Sequence, residues 1–168
     1  YNTAVGAYAG YGMTTGTSND AFGYGALDRQ TTGVANVSLG SYSATQLLTG
    51  GYNVVIGTSA METADGSESG NVAIGYQALL DFNTDGTNEN VAIGYHAGKD
   101  LLSGTGNTYV GYGSGPNSGT AGTGNANTAI GRLAGNGLTT GNNNCLMGYA
   151  AGDLITTGIK NILIGVDT

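Results

Sequence analysis

Proline, tryptophan, cysteine and basic residues are almost absent from this chain of 168 residues. It has one Pro, one Cys, no Trp, and four Lys or Arg residues against eleven Asp or Glu residues. A single cysteine provides neither a disulfide framework nor a zinc cluster, and Cys145 is predicted to be a small core residue rather than a reactive thiol. The net charge of −7 argues against a nucleic-acid partner. No run of about 18 apolar residues exists, so no membrane insertion is predicted.

Glycine, by contrast, is abundant, and it recurs in fixed places. The phrase Asn, any residue, a mostly small residue, a large apolar residue, Gly occurs ten times, for example as NVAIG at Asn71 and as NTAIG at Asn127. Successive copies are 17, 17, 17, 18, 19, 17, 20, 17 and 17 residues apart. The longer steps carry extra residues, as in SGPNSGTAGTGNAN, and such insertions map to loops. We therefore expect a single repeat array over residues 1–168, cut from a longer protein.

Within the repeat, several positions hold one kind of residue when the Asn is counted as position 1. Position 8 is Ala or Ser in the first nine copies, from Ala9 to Ala151, and position 6 is often Tyr. Position 4 is always large and apolar, and it is predicted to form a structural ladder: Val5, Phe22, Leu39, Ile56, Ile74, Ile93, Val110, Ile130, Met147 and Ile164. Position 5 is always glycine, which indicates a recurring turn: Gly6, Gly23, Gly40, Gly57, Gly75, Gly94, Gly111, Gly131, Gly148 and Gly165.

The repeat predicts an all-β fold. A unit of 17 residues is too short for a pair of helices, and its Asn, Gly and Thr content disfavours helix. Positions 2 to 6 form a short run, often β-branched and bounded by glycine, which is typical of a strand. One or two such strands per repeat make one coil of a parallel β-solenoid. Ten coils of 17 to 20 residues, stacked about 4.8 Å apart, would give a rod roughly 45 Å long.

The few large apolar side chains of each repeat suggest that one coil cannot order itself alone. The repeat that begins at Asn127 offers only Ile130, Leu133 and Leu138. The Ala or Ser at position 8 from Ala9 to Ala151, and the frequent Ala or Ser at position 3, are interpreted as sites where another backbone approaches closely. We therefore expect neighbouring copies of the chain to complete the core.

These residues resemble a known pattern. NVAIG followed by Tyr-x-Ala resembles the parallel β-roll repeats in the head domains of trimeric autotransporter adhesins, and NTAIG…AG…LTTG is similar to repeats of phage tail fibres. The resemblance implies a left-handed β-roll, intertwined or packed as a homotrimer with two further copies of the chain. It also implies a structural shaft of a tail fibre or surface adhesin, extracellular on a virion or cell, which presents a distal region to a host glycan or protein receptor.

No constellation of residues supports an enzyme, a cofactor or a metal site. The loop from Gly113 to Gly119 lacks the Lys-Ser/Thr of a phosphate-binding loop, and His96 has no Ser or Cys partner at a defined spacing. The scattered acids are interpreted as solvated loop charges. A calcium site in the wider coils is the alternative, formed by residues from the set Asp65, Glu68, Asp81, Asp85 and Glu89.

Three further sets of repeated residues bear on an alternative function, in which the rod itself binds carbohydrate or ice. The repeated Asn is predicted to be a turn residue or an intercoil hydrogen-bonding ladder rather than a ligand set. Adjacent Thr pairs such as Thr139–Thr140 suggest ice binding, but on an extended backbone their side chains point opposite ways. The tyrosines at position 6, among them Tyr76, Tyr95 and Tyr112, are predicted to pack along the rod. The alternative is a strip that binds carbohydrate.

Overall fold

The computed structural model describes residues 1–168 and contains ten strands and no helix. Each repeat contributes one strand of three residues. The strands are β1 (Thr3–Val5), β2 (Asp20–Phe22), β3 (Val37–Leu39), β4 (Val54–Ile56), β5 (Val72–Ile74), β6 (Val91–Ile93), β7 (Thr108–Val110), β8 (Thr128–Ile130), β9 (Cys145–Met147) and β10 (Ile162–Ile164).

All ten strands belong to one parallel sheet in which spatial order follows chain order from β1 to β10. Every residue lies opposite the residue at the same position of the next repeat, so that Ala73 pairs with Ala92 and Ile74 with Ile93. Ten strands spaced about 4.8 Å apart give a rod about 43 Å long. The predicted all-β parallel solenoid of about ten coils is confirmed.

Hydrogen bonds join successive coils around the whole perimeter and not only in the sheet. Of 103 backbone–backbone hydrogen bonds, 85 lie outside the strands. In the turn that follows β5, for example, the Leu79 N–H donates to the Ala97 carbonyl at 3.0 Å. The extra residues of the 18-, 19- and 20-residue repeats lie outside the strands, as predicted for insertions.

The core runs along the inside of the coil, and most levels combine small residues at positions 3 and 8 with a larger apolar residue such as Leu138. The middle residue of each strand, at position 3, points inward, while positions 2 and 4 point outward. In the coil that begins at Asn127, Ala129, Ala134 and Leu138 fill the interior with at most 1% of their surface exposed. Twenty-one buried residues form one continuous apolar cluster.

This packing corrects the interpretation of the small residues. From Ala26 to Ala151, the Ala or Ser at position 8 is buried within its own chain. The reason is that a larger side chain of the same coil, such as Leu138 beside Ala134, fills the rest of the narrow interior. These positions therefore do not form the surface on which another backbone was expected, and each coil has an apolar core of its own.

One level of the core carries an aromatic residue at position 3. Tyr109 is only 1% exposed, and glycines on the facing turn make room for its ring. A Cβ added to Gly115 would lie 2.5 Å from Tyr109 Cγ. Gly98, one coil earlier, also lies close to this ring, because a Cβ added there would lie 3.0 Å from Tyr109 Cδ2.

The glycines at position 5 form the corner that ends each strand. All ten have φ between 129° and 154°, a region that residues with a side chain rarely adopt. Stacking adds a second constraint, since a Cβ on Gly23 would lie 2.5 Å from the Gly40 carbonyl oxygen. Glycine is therefore required at this corner both by the backbone conformation and by the neighbouring coil.

Candidate functional surfaces

The repeated asparagines form a buried hydrogen-bonding ladder. Asn107 Nδ2 donates to Asn90 Oδ1 at 3.0 Å and to the Gly124 carbonyl at 2.9 Å. Asn107 Oδ1 in turn accepts from the backbone N–H of Asn127 at 2.9 Å and from its Nδ2 at 3.2 Å. The same pattern recurs along the rod. The predicted intercoil ladder is confirmed, and these amides have no free group to offer a ligand.

The apolar ladder at position 4 lies on the outside of the rod. Its members are exposed to different degrees: Ile56, Ile74 and Val110 are partly buried, Ile93 is 37% exposed, and Ile164 in the last strand is 68% exposed. Position 2 adds a parallel row that is largely aliphatic in the middle coils: Val37, Val54, Val72 and Val91. We call the residues at positions 2 and 4 of the ten strands the outer strip.

Cys145 lies on the outer strip and not in the core, which corrects the prediction made for it. It is a free, half-buried cysteine at position 2 of β9. The error has a simple cause, because alternation along a strand places positions 2 and 3 on opposite faces, and the sequence does not show which face is inside.

Three of the tyrosines at position 6 stack on one another along the rod, as predicted: Tyr76, Tyr95 and Tyr112. The Tyr76 and Tyr95 ring centroids are 5.1 Å apart, and those of Tyr95 and Tyr112 are 5.3 Å apart with the rings 3° from parallel. The Arg132 guanidinium continues this tyrosine column between Tyr112 and Tyr149, at 5.3 and 5.4 Å from their centroids. Neighbouring side chains thus occupy the ring faces that would stack against a sugar.

Arg132 is the member of this column that the sequence reasoning missed. Its place in the repeat could have identified it, because Arg132 occupies position 6 between two repeats that carry Tyr at that position. A cation between two aromatic rings is a stabilising arrangement.

In the threonine pairs, the first hydroxyl takes part in bonding between coils. Thr14 Oγ1 donates to the Thr31 carbonyl at 3.1 Å, and Thr139 Oγ1 donates to the Thr156 carbonyl at 3.0 Å. Each such hydroxyl is directed along the rod axis and satisfies a backbone carbonyl. Only the second threonine of a pair, such as Thr140, presents an uncommitted hydroxyl to solvent.

The structure divides the acids considered for calcium into two groups. Glu68 is fully buried, its Oε2 accepts from the Gly66 N–H at 3.1 Å, and its Oε1 has no partner. Burial raises the pKa of the Glu68 carboxyl, and the charges of Asp85 and Asp65 raise it further. Asp85 Oδ1 accepts from the Ser67 backbone N–H at 2.9 Å.

The second acidic group lines a shallow groove further along the rod. Asp81 and Asp100 lie there beside Thr63 and Asn83. Burial raises the pKa of Asp81, with a smaller contribution from the charge of Asp100. Asp100 is engaged with Lys99 at 3.3 Å and with the Gly119 N–H. No three His, Cys, Asp or Glu side chains are placed to hold a metal ion together, and Glu89 belongs to neither group.

His96 packs against an aromatic ring instead of a nucleophile. Its ring centroid lies 4.0 Å from that of Tyr95, and its buried Nε2 has no hydrogen-bond partner. Burial lowers the pKa of His96, and the charge of Lys99 lowers it further. The segment from Gly113 to Gly119 is an irregular loop that no helix follows.

Comparison with known proteins finds no matching family model, curated protein or solved structure. No helix in the structure is long and apolar enough to cross a lipid bilayer.

Proposed function

We propose that this chain is a non-catalytic structural segment of an extracellular fibre, the shaft of a phage tail fibre or bacterial surface adhesin. In this proposal three parallel copies form the shaft and hold a distal receptor-binding region away from the virion or cell. The receptor is a glycan or a protein on the host surface.

The observation that carries the proposal is the uninterrupted bonding from coil to coil. The sheet, the turns and the asparagine ladder each connect every coil to the next. Repeat proteins of this kind behave as one-dimensional stacks in which each unit contacts only its neighbours. Such a stack resists bending and extension along its whole length, which is the property a spacer needs.

The groups available for chemistry support a spacer more than a binding or catalytic protein. The asparagine amides are saturated, the first threonine hydroxyls bond to the next coil, and the rings of Tyr76, Tyr95 and Tyr112 stack on one another. The adhesive alternative, in which the rod itself binds carbohydrate or ice, therefore draws little support from these side chains.

Solution mass and shape test the proposal together. Light scattering is expected to give three times the 16.6 kDa of a single chain. Small-angle scattering is expected to give a rod about 43 Å long, because ten strands are stacked about 4.8 Å apart. A chain that is monomeric at all accessible concentrations would contradict the trimeric shaft.

A further inference from the structure

The outer strip is a continuous apolar surface along one side of the rod. Position 4 is apolar in every coil, and Asp20 is the only charged residue among the twenty positions of the strip. In a chain with a net charge of −7, such a surface is unusual. Leu39 remains 49% exposed and Ile93 37% exposed in the isolated chain.

The area of the strip suits a protein interface. Ten strands of three residues form a sheet face of about 43 Å by about 10 Å. Its flat area is about 430 Å², without the additional surface of protruding side chains. Apolar patches of about 300–600 Å² are the largest found on typical monomers and often mark interaction sites. The tyrosine column borders the strip across the position-5 corner and enlarges this surface, and a stable interface buries roughly 800 Å² per partner.

The regular spacing of the strip selects the partner. Its side chains repeat about every 4.8 Å, and a surface with the same repeat can engage all ten levels at once. Another copy of this chain carries that repeat by construction. A partner with a different spacing would match the strip at a few levels only.

The sequence of position 2 favours parallel copies at equal height. Parallel alignment places the valines of β3 to β6 opposite one another, and Thr108 and Thr128 opposite their own equivalents. In an antiparallel arrangement Thr128 would face Val37 and Thr108 would face Val54, which buries hydroxyl groups against apolar side chains at a cost in free energy. Thr–Thr pairs, by contrast, are favourable neighbours across strands.

We propose that copies of this chain associate through the outer strip, parallel and with equivalent strands at the same height, with the tyrosine column at the rim. This inference rests on the proposed function, since it names the surface by which the chains of the shaft meet. It also assigns Cys145 to the interface.

Two lysine substitutions in the same coil test the surface. Ile93→Lys places a charge on the strip and is expected to weaken association about 100-fold, because a charge buried without a partner is strongly destabilising. Leu102→Lys is the matched control, since Leu102 is 44% exposed but lies off the strip. The control is expected to assemble like the unmodified chain. Light scattering over a dilution series gives the association constants, and circular dichroism reports the fold.

The outcomes separate this inference from the proposed function. If the unmodified chain is a trimer and the folded Ile93→Lys variant is also a trimer, the strip is the wrong surface while the shaft survives. If the unmodified chain is a monomer, both fail. If Ile93→Lys does not fold, cross-linking of the unmodified chain decides.

Cross-linking through the native Cys145 tests orientation without a change to the strip. Parallel alignment brings Cys145 residues to the same height, and a short bismaleimide is expected to link them in high yield. Antiparallel alignment would put Cys145 opposite β2, about 34 Å from its equivalent. A trimer with no link at Cys145 would overturn the proposal. The control carries Cys145→Ser and Thr157→Cys, which moves the thiol to an exposed site off the strip.

Asp20 provides an independent check of the alignment. Parallel copies bring their Asp20 carboxylates together, and like charges that face each other are destabilising. Asp20→Asn is therefore expected to tighten association about two- to fivefold at low salt, with a smaller gain at high salt. Weaker association of the folded variant would contradict the parallel alignment.

Discussion

Replacing Asn107 by Ala tests how much one step of the buried asparagine ladder contributes to stability. The substitution removes two donated hydrogen bonds, to Asn90 Oδ1 and the Gly124 carbonyl, and two accepted ones from Asn127. It leaves the Gly124 carbonyl and the Asn127 N–H buried without these partners. An unsatisfied buried group costs about 1–3 kcal/mol, so a loss of roughly 3–5 kcal/mol in the free energy of unfolding is expected.

The matched control is Asn125→Ala, which removes similar bonds from the surface. Asn125 Oδ1 accepts from the Thr105 N–H at 2.8 Å and from its Oγ1 at 3.3 Å, and Asn125 Nδ2 donates to Asn142 at 3.1 Å. Because water replaces these bonds, a loss of no more than about 1 kcal/mol is expected.

Urea denaturation measures the global effect of both variants, and amide hydrogen exchange shows whether the coils on either side of the substitution open first. Exchange is informative here because coils contact only their neighbours, so that damage at one level can remain local. Equal losses for the two variants would refute the reasoning, since they would show that the number of bonds matters and burial does not.

Three other substitutions test separate features of the coil. Gly23→Ala is expected to destabilise the chain much more than Gly119→Ala. An added Cβ at Gly23 would collide with the backbone of the next coil, whereas an added Cβ at Gly119 would have no atom within 4 Å. Thermal melts of the two variants compare their stabilities. Glu68→Gln is expected to stabilise the chain at pH 7. The raised pKa of Glu68 means that the folded state binds the proton more tightly than the unfolded state does. The stability of the unmodified chain is therefore expected to rise as pH falls through the folded pKa towards the unfolded pKa. Urea titrations at several pH values are expected to show that the Glu68→Gln variant loses this dependence. Ala134→Leu is expected to cost about 1–3 kcal/mol by overpacking the core, and Asn136→Leu, on a half-exposed side chain, considerably less; similar urea midpoints would mean that the interior tolerates larger residues.

The period of the sequence was enough to predict the number of coils, the single strand in each and the asparagine ladder. These follow from recurrence alone, because parallel stacking places equal positions opposite one another. The side of the strand that faces inward did not follow. Positions 2, 3 and 4 are all mostly apolar or small, so hydrophobicity gives no direction, and Cys145 and the position-8 residues were assigned to the wrong faces.

The structure supplies a steric reason that hydrophobicity lacks. The interior of so narrow a coil accepts Ala129 beside Leu138, and it accepts Tyr109 only where glycines stand opposite its ring. In an ordinary domain the larger of two apolar residues is expected inside, but here residues such as Leu138 already fill the interior, and position 3 of most coils takes only a small side chain. A large residue in every repeat next to a small one therefore indicates that the large residue faces outward.

The outward-facing large residues explain why the outer strip is apolar. A single chain satisfies most of its hydrogen bonds and fills its core, yet it leaves Ile93 and its equivalents partly exposed in an unbroken row. Isolated exposed apolar residues are common on protein surfaces, whereas a row repeated at every level of a stack is a surface of constant chemistry. Since only an array with the same repeat can cover such a row evenly, the regularity that builds the coil also favours its association with copies of itself.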